Sequence, residues 1–384
     1  MHLPPNASPG RSRVAVGTAF FLNGLCFSSW ASRIPTIQQK LGLSESLLGS
    51  LLFALPLGSI LSSFFSATIA TRFGTKRVLT AAILCNGLVY VSLGLASTPL
   101  VLASTLFVIG CLGNITSVAL NTQAVGLEKI MNRPIMASLH GLWSAASFVG
   151  AAIGGMMLAL AVAPVWHFTL VYLLLLLGVS ANARWFLLSP MPTQTRPKLL
   201  VRPPPGLLGL GLIAFCSMIC EGAMFDWSGV YFQRVLQAGP WGVGLGYGAF
   251  MGAMATSRFL ADPVIGKLGP RKVLTVCGLL VSSGLLVAIA YPSIITGVAG
   301  FILVGIGTSA VVPLVYSQAG KISATSPSAA IAAASMIGFL GFLIGPPLIG
   351  WIAGMSSLRW SFLVIAIMGL GITIMGRRYR ENLD

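Results

Sequence analysis

Acidic side chains are nearly missing from this sequence: seven Asp and Glu stand against 23 Lys and Arg in 384 residues. Charged residues of both signs make up 8% of the chain, where a soluble globular domain carries about a quarter. That deficit excludes a water-soluble enzyme of ordinary construction, and equally a disordered scaffold. Histidine is scarce too, at three residues, and the six cysteines all lie inside apolar runs. Cys216 and Cys220 share a helix face, but no further ligand accompanies them, so neither a metal site nor a disulfide framework is expected. There is no Gly-x4-Gly-Lys-Ser/Thr phosphate loop, no His-Glu-x-x-His and no Gly-x-Ser-x-Gly. ATP-driven chemistry and hydrolysis therefore have no visible seat. The reading is a protein that is not an enzyme and needs no cofactor.

What is present is apolar length. Hydrophobic residues form 56% of the chain and the mean hydropathy is +0.91. A bilayer core takes about 20 apolar residues per helix. The chain offers twelve such runs, near 14–33, 46–70, 78–97, 99–124, 135–160, 164–187, 206–232, 241–265, 273–291, 293–317, 327–354 and 358–376. Pro99, Pro164, Pro240, Pro292 and Pro327 punctuate their starts. The small-residue stretch Ser29-Trp30-Ala31 resembles a signal cleavage site. The run is long and leads straight into the next, which favours an uncleaved helix.

The net charge of +16 follows from where the basic residues lie. With the N-terminus inside, eighteen Lys and Arg fall in cytoplasmic gaps and four, Arg33, Lys40, Arg234 and Arg359, fall outside, with Arg258 within a span. Basic residues mark cytoplasmic loops. Both termini are expected in the cytoplasm of a bacterium, with the chain spanning its inner membrane. No basic stripe interleaved with aromatics appears, so nucleic acid is not an expected partner. The lipid bilayer is, and the protein is expected to be a monomer.

Between the sixth and seventh runs lies a proline-rich segment, with six of the 22 prolines in 17 residues. Such a segment is extended and cannot cross a membrane. The expected organisation is a six-helix bundle over 1–188, a cytoplasmic linker over 189–205 and a second six-helix bundle over 206–384. The halves correspond at a constant offset of 195: Arg72-Phe73-Gly74-Thr75-Lys76-Arg77 matches Lys267-Leu268-Gly269-Pro270-Arg271-Lys272, Gly110 falls on Gly305, and Gln123 on Gln318. A parallel repeat of this kind places substrate near the bilayer midplane, between halves that rock against each other.

At this point the chain resembles the major facilitator superfamily over its whole length. The family's loop between spans two and three runs Gly, three residues, Asp, basic, any, Gly, basic, basic. This chain keeps Arg72, Gly74, Lys76 and Arg77 but has Thr71 at the acid; the second copy carries Asp262 one turn earlier, followed by Lys267. The resemblance implies an all-α integral membrane protein of twelve transmembrane helices in two pseudo-symmetric six-helix bundles. It also links Arg72, Asp262 and Lys267 with closing the cytoplasmic side. Trp30-Ala31-Ser32-Arg33-Ile34-Pro35, His140-Gly141, Glu221-Gly222, Asp226-Trp227 and Gly345-Pro346-Pro347 are closer to a bacterial inner-membrane branch near the fucose permeases.

Charged groups at membrane depth are costly and usually face a cavity or a partner. Glu221 lies about 22 Å along span seven at 1.5 Å per residue. It is the candidate proton-titrating or substrate-binding carboxylate. Asp226, one turn further out, and Arg33, closing span one at the same rim, are a candidate outer gate pair. Arg258 could pair with Asp262 at i, i+4 or face the cavity. His140, early in span five, is a candidate proton relay. Asn114, Ser117 and Asn121 share one face of span four, with Ser309, Val312 and Tyr316 as second-half counterparts. They would suit a small, hydroxyl-rich or zwitterionic solute. The reading is a secondary transporter, moving a small polar solute by alternating access with proton coupling. An uncoupled facilitator and a non-transporting sensor on the same scaffold are the rival readings.

Overall fold

The computed structural model describes residues 1–133, 135–188, 205–322 and 327–379. Within them, the side chains at 137, 205, 206, 262, 327–329, 331 and 332 are outside the description, as is nearly all of the 189–205 linker.

Among the described residues fourteen α-helices follow in order, with one short 3-10 turn at Ala183–Trp185: α1 (Pro9–Lys40), α2 (Glu45–Leu52), α3 (Ala54–Phe73), α4 (Thr75–Leu95), α5 (Pro99–Met131), α6 (Met136–Ala159), α7 (Pro164–Asn182), α8 (Pro205–Arg234), α9 (Pro240–Leu268), α10 (Pro270–Ala290), α11 (Ile294–Ser309), α12 (Val311–Ile322), α13 (Pro327–Met355) and α14 (Leu358–Arg378). Strand pairing among the described residues is confined to one bridge between His2 and Leu188. Helix is the expected outcome, because lipid offers backbone N–H and C=O groups no partner outside the segment. Among the described residues, eleven helical segments are long and apolar enough to cross a membrane. The twelfth, α9, is 29 residues long but is diluted by glycine and Arg258.

The helices start where local chemistry satisfies their first N–H groups. Ser8 caps α1 by accepting from the Arg11 N–H, Thr98 caps α5 through the Val101 N–H, and Ser293 forms a reciprocal capping box with Thr296. The last of these moves the expected start at Pro292 to Ile294. Two runs expected to be continuous are interrupted, at Phe53 between α2 and α3 and at Ala310 between α11 and α12. Pro56 and Pro313 explain both breaks. Each lacks the N–H that would bond the carbonyl four residues back, on Leu52 and Ser309.

The chain forms two compact units, Met1–Leu43 with Leu51–Gln194, and Ser44–Ser50 with Thr195–Asp384. In the first unit, α1 packs on α6 and α7, α3 on α5, and α4 on α5 and α7. In the second, α8 packs on α13 and α14, α9 on α11, and α10 on α11 and α14. The two schemes are the same, helix for helix. The repeat extends to single atoms. A Cβ on Gly110 would collide with the Leu55 carbonyl, and one on Gly305 with the Phe250 carbonyl, again 195 residues apart. Gly74 and Gly269 both turn the chain with positive φ, +82° and +75°, a region open to glycine at little cost. Gln123 ties the Thr75 hydroxyl to the backbone of Leu187, and Gln318 accepts from the Tyr379 hydroxyl. Both glutamines are therefore structural fastenings.

Most of α2 belongs to the second unit. There Gly49 lies against the Pro346 carbonyl and Gly350 against the Glu45 carbonyl. Trp351 Nε1 donates to Ser50 Oγ at 3.0 Å, and Glu45 pairs with Arg234 at 3.0 Å. No sequence motif singled out Glu45 or Arg234.

Candidate functional site

The second unit holds a charged pair of a buried acid and a partly exposed base. Glu221 sits mid-way along α8 with 8% of its surface exposed. Arg258, on α9, donates from Nη2 to Glu221 Oε1 at 3.4 Å. A carboxylate and a guanidinium at this depth offset much of each other's desolvation cost, which either would bear alone. Arg258 thus reaches across to another helix. The side chain of Asp262, its possible partner along α9, lies outside the described residues.

Aromatic rings surround the carboxylate's turn of α8. Phe225 stacks on Phe342 with ring centres 6.3 Å apart, and meets Tyr247 and Phe250 edge-on at 6.2 and 5.9 Å. Gly222, between Glu221 and Phe225, leaves room for the Phe342 ring. The Tyr316 hydroxyl, from α12, hydrogen-bonds Ser335 on α13 and lies within electrostatic reach of Glu221. A carboxylate and a guanidinium, a phenol and a hydroxyl, and a stacking surface are thereby found within one unit. Such a set can hold a small solute that has both apolar and hydrogen-bonding faces.

The first unit carries an uncharged polar pair equivalent to Tyr316 and Ser335. His140 Nε2 and Asn121 Oδ1 are 3.0 Å apart, joining α6 to α5. The His140 ring also stands edge-on to Phe20 at 5.1 Å. Asn121 donates back to the Ser117 carbonyl at 2.9 Å and lies 3.3 Å from the Ser117 hydroxyl. Asn121 and His140 map onto Tyr316 and Ser335 at the offset of 195, so the two hydrogen bonds are repeat equivalents. Glu221 and Arg258 map onto Cys26 and Ser63. The charges are what distinguishes the halves.

The other expected positions disperse. Asn114 leaves the Asn121 group and donates to Ser66 on α3 at 3.3 Å, an interhelical hydrogen bond. Arg72 is exposed and lies over its neighbour Phe73, its Cζ 5.5 Å from the ring centre. Thr71, where the family has an acid, donates to the Thr68 carbonyl at 2.9 Å and caps nothing. Lys267 is exposed at the end of α9.

Arg33 and Asp226, the expected gate pair, lie in separate units. Arg33 is 1% exposed, donating from Nε to His167 Nδ1 at 3.1 Å and from Nη2 to the Val162 carbonyl at 2.9 Å. Asp226 is half-buried on α8. His167, fully buried at the start of α7, was not visible as a partner from the sequence. Accepting at Nδ1 requires the ring proton on Nε2, a buried donor with no partner in the structure.

The sequence model of the Major Facilitator Superfamily matches residues 16–261 and 236–382. The chain belongs to that superfamily. An uncharacterised MFS-type transporter of Yersinia pestis is 34% identical over 373 residues, covering 96% of each chain. An uncharacterised transporter of Sinorhizobium fredii is 31% identical, covering 94% of this chain and 96% of its own. The membrane protein MosC of Rhizobium meliloti is 29% identical over 95% of this chain and 90% of its own. Among solved structures, the nucleoside transporter NupG superposes with a TM-score of 0.78 at 10% identity, covering 96% of this chain and 99% of the other. A bacterial homologue of the human lysosomal transporter Spinster gives 0.76 at 16% identity over 97% of both. At such identities these likenesses speak for the fold alone. This member of the superfamily is a multi-pass, all-α membrane transport protein, and its family consists of transporters, not enzymes.

Proposed function

We propose that this transporter moves a small polar solute across the bacterial inner membrane by alternating access, with both termini cytoplasmic and with a proton taken up at Glu221. The observation that carries the reading is the partly buried Glu221–Arg258 pair at 3.4 Å, set in one half of a chain whose other half has Cys26 and Ser63 there. A purely structural fastening would be expected in both halves, as Gln123 and Gln318 are. Protonating Glu221 would cancel its attraction for Arg258 and free the guanidinium for a solute's oxygen atoms. Losing the proton would restore the pair and expel the solute. Tyr316 and Ser335, in the same unit, would supply uncharged hydrogen bonds. Arg72 and Lys267, beside the Gly74 and Gly269 turns, are assigned to the cytoplasmic closure, with Asp262 as the acid of the second copy.

The test is transport in proteoliposomes, with the solute first found by thermal shift over a metabolite panel. Glu221→Gln should lose uphill accumulation while keeping solute exchange at equal concentrations. Full accumulation by this variant would sink the proton-coupling role. One observation favours a second reading: a pair already neutralised by Arg258 needs no proton to stay buried. In that case the protein is a facilitator, and solute flux would move no protons in the wild type.

A further inference from the structure

At the end of the first unit where α1 begins and α7 ends, a groove of about 630 Å³ opens, lined by Ser8, Arg11, Val14, Asn182, Arg184 and Trp185 among others. Its floor is an aromatic shelf between two cations. The Arg11 and Arg184 guanidinium carbons lie 5.3 and 4.6 Å from the centre of the Trp185 ring. Both arginines are exposed, and neither has a carboxylate partner among the described residues. The Lys76 ammonium approaches the same turn, donating to the Arg184 carbonyl at 3.1 Å. Like charges gathered against one ring repel unless an anion joins them, and two guanidinium forks suit the oxygens of a phosphate.

Beyond the groove the surface turns apolar. Val14, at the edge of the groove's lining, is 64% exposed, and Leu177, further up α7, is 67% exposed. The apolar run of α1 starts at this level and that of α7 stops there, so the groove lies where a bilayer surface would meet the protein. A ligand with a phosphate at one end and a hydrocarbon chain at the other matches both zones. We propose that the Arg11–Trp185–Arg184 groove binds the phosphodiester headgroup of an anionic phospholipid, whose acyl chains lie along the outer face of α1 and α7. Basic pockets between transmembrane helices recognise such headgroups, and Trp is enriched at this depth.

The experiment is native mass spectrometry of the purified full chain with phosphatidylglycerol, phosphatidylcholine or inorganic phosphate added. Wild-type protein should retain phosphatidylglycerol over phosphatidylcholine, and the Arg11→Gln/Arg184→Gln variant should lose at least about tenfold in retention. Arg378→Gln, removing a basic residue at the end of α14, should retain the lipid as wild type does. Equal retention in the double variant would overturn the proposal. So would displacement of the lipid by inorganic phosphate at matched concentration, which would make this a site for free anions.

Discussion

Arg258 shows how far residue counting reaches. Along its own helix the count offers Asp262 at i, i+4, whose side chain lies outside the described residues; the structure also brings Arg258 to Glu221, 37 residues earlier on α8. Removing one partner from a buried pair leaves the other charge uncompensated, whereas removing both can be nearly neutral. Arg258→Met should therefore lower thermal stability in detergent, by about 1–3 kcal/mol given that Arg258 remains about a quarter exposed. The double variant Glu221→Gln/Arg258→Met should recover part of that loss, a coupling that a double-mutant cycle measures. Additive losses would show that the two side chains act separately. Glu221 was legible as a candidate because an acid within a span is rare; its contact with Arg258 was not, because helix neighbours are chosen in three dimensions. His167 escaped for the same reason, since its bond to Arg33 spans 134 positions of sequence.

Helices and their seams follow from simpler rules. Each apolar run became helix. One start and two breaks that the sequence misplaced lie at a cap and at prolines, while α1 and α5 run on past their expected ends at 33 and 124 to Lys40 and Met131. Ser293 with Thr296 shifted one start, and Pro56 and Pro313 cut two runs. Glycine then sets how closely the helices approach. Gly110→Val would drive a Cβ into the Leu55 carbonyl and Gly305→Val one into that of Phe250, each costing about 1–3 kcal/mol by overpacking. Both variants should melt earlier in thermal unfolding. Gly209→Ala, on α8 with no atom within 4 Å of the added carbon, should be neutral or gain up to about 1 kcal/mol from helix propensity. A similar fall in all three would show that steric contact is not what these glycines provide.

For the molecule as a whole, the repeat is the organising fact, and one segment departs from it. Ser44–Ser50 groups with the second unit, where Gly49, Gly350 and Gly354 leave no room for side chains against it. In a background without native cysteines, Ser46→Cys with Gly354→Cys should crosslink readily, since a Cβ on Gly354 would meet the Ser46 side chain. Adding Gly350→Leu should suppress that crosslink by pushing α2 off α13. Unchanged crosslinking would mean that the glycine seam does not hold the segment.

The scarcity of acids and the placement of the bases determined, without any coordinates, that this chain lives in a bilayer, and the offset of 195 that its helices come in two matched sets. Those properties are sums over many residues or depend on neighbours a few positions away, so a linear reading captures them. Which polar groups meet was decided by the tertiary structure: Glu221 with Arg258, Asn121 with His140, Arg33 with His167. Helix packing chooses such partners through glycine seams that bring distant turns together, and no local rule along the chain encodes them.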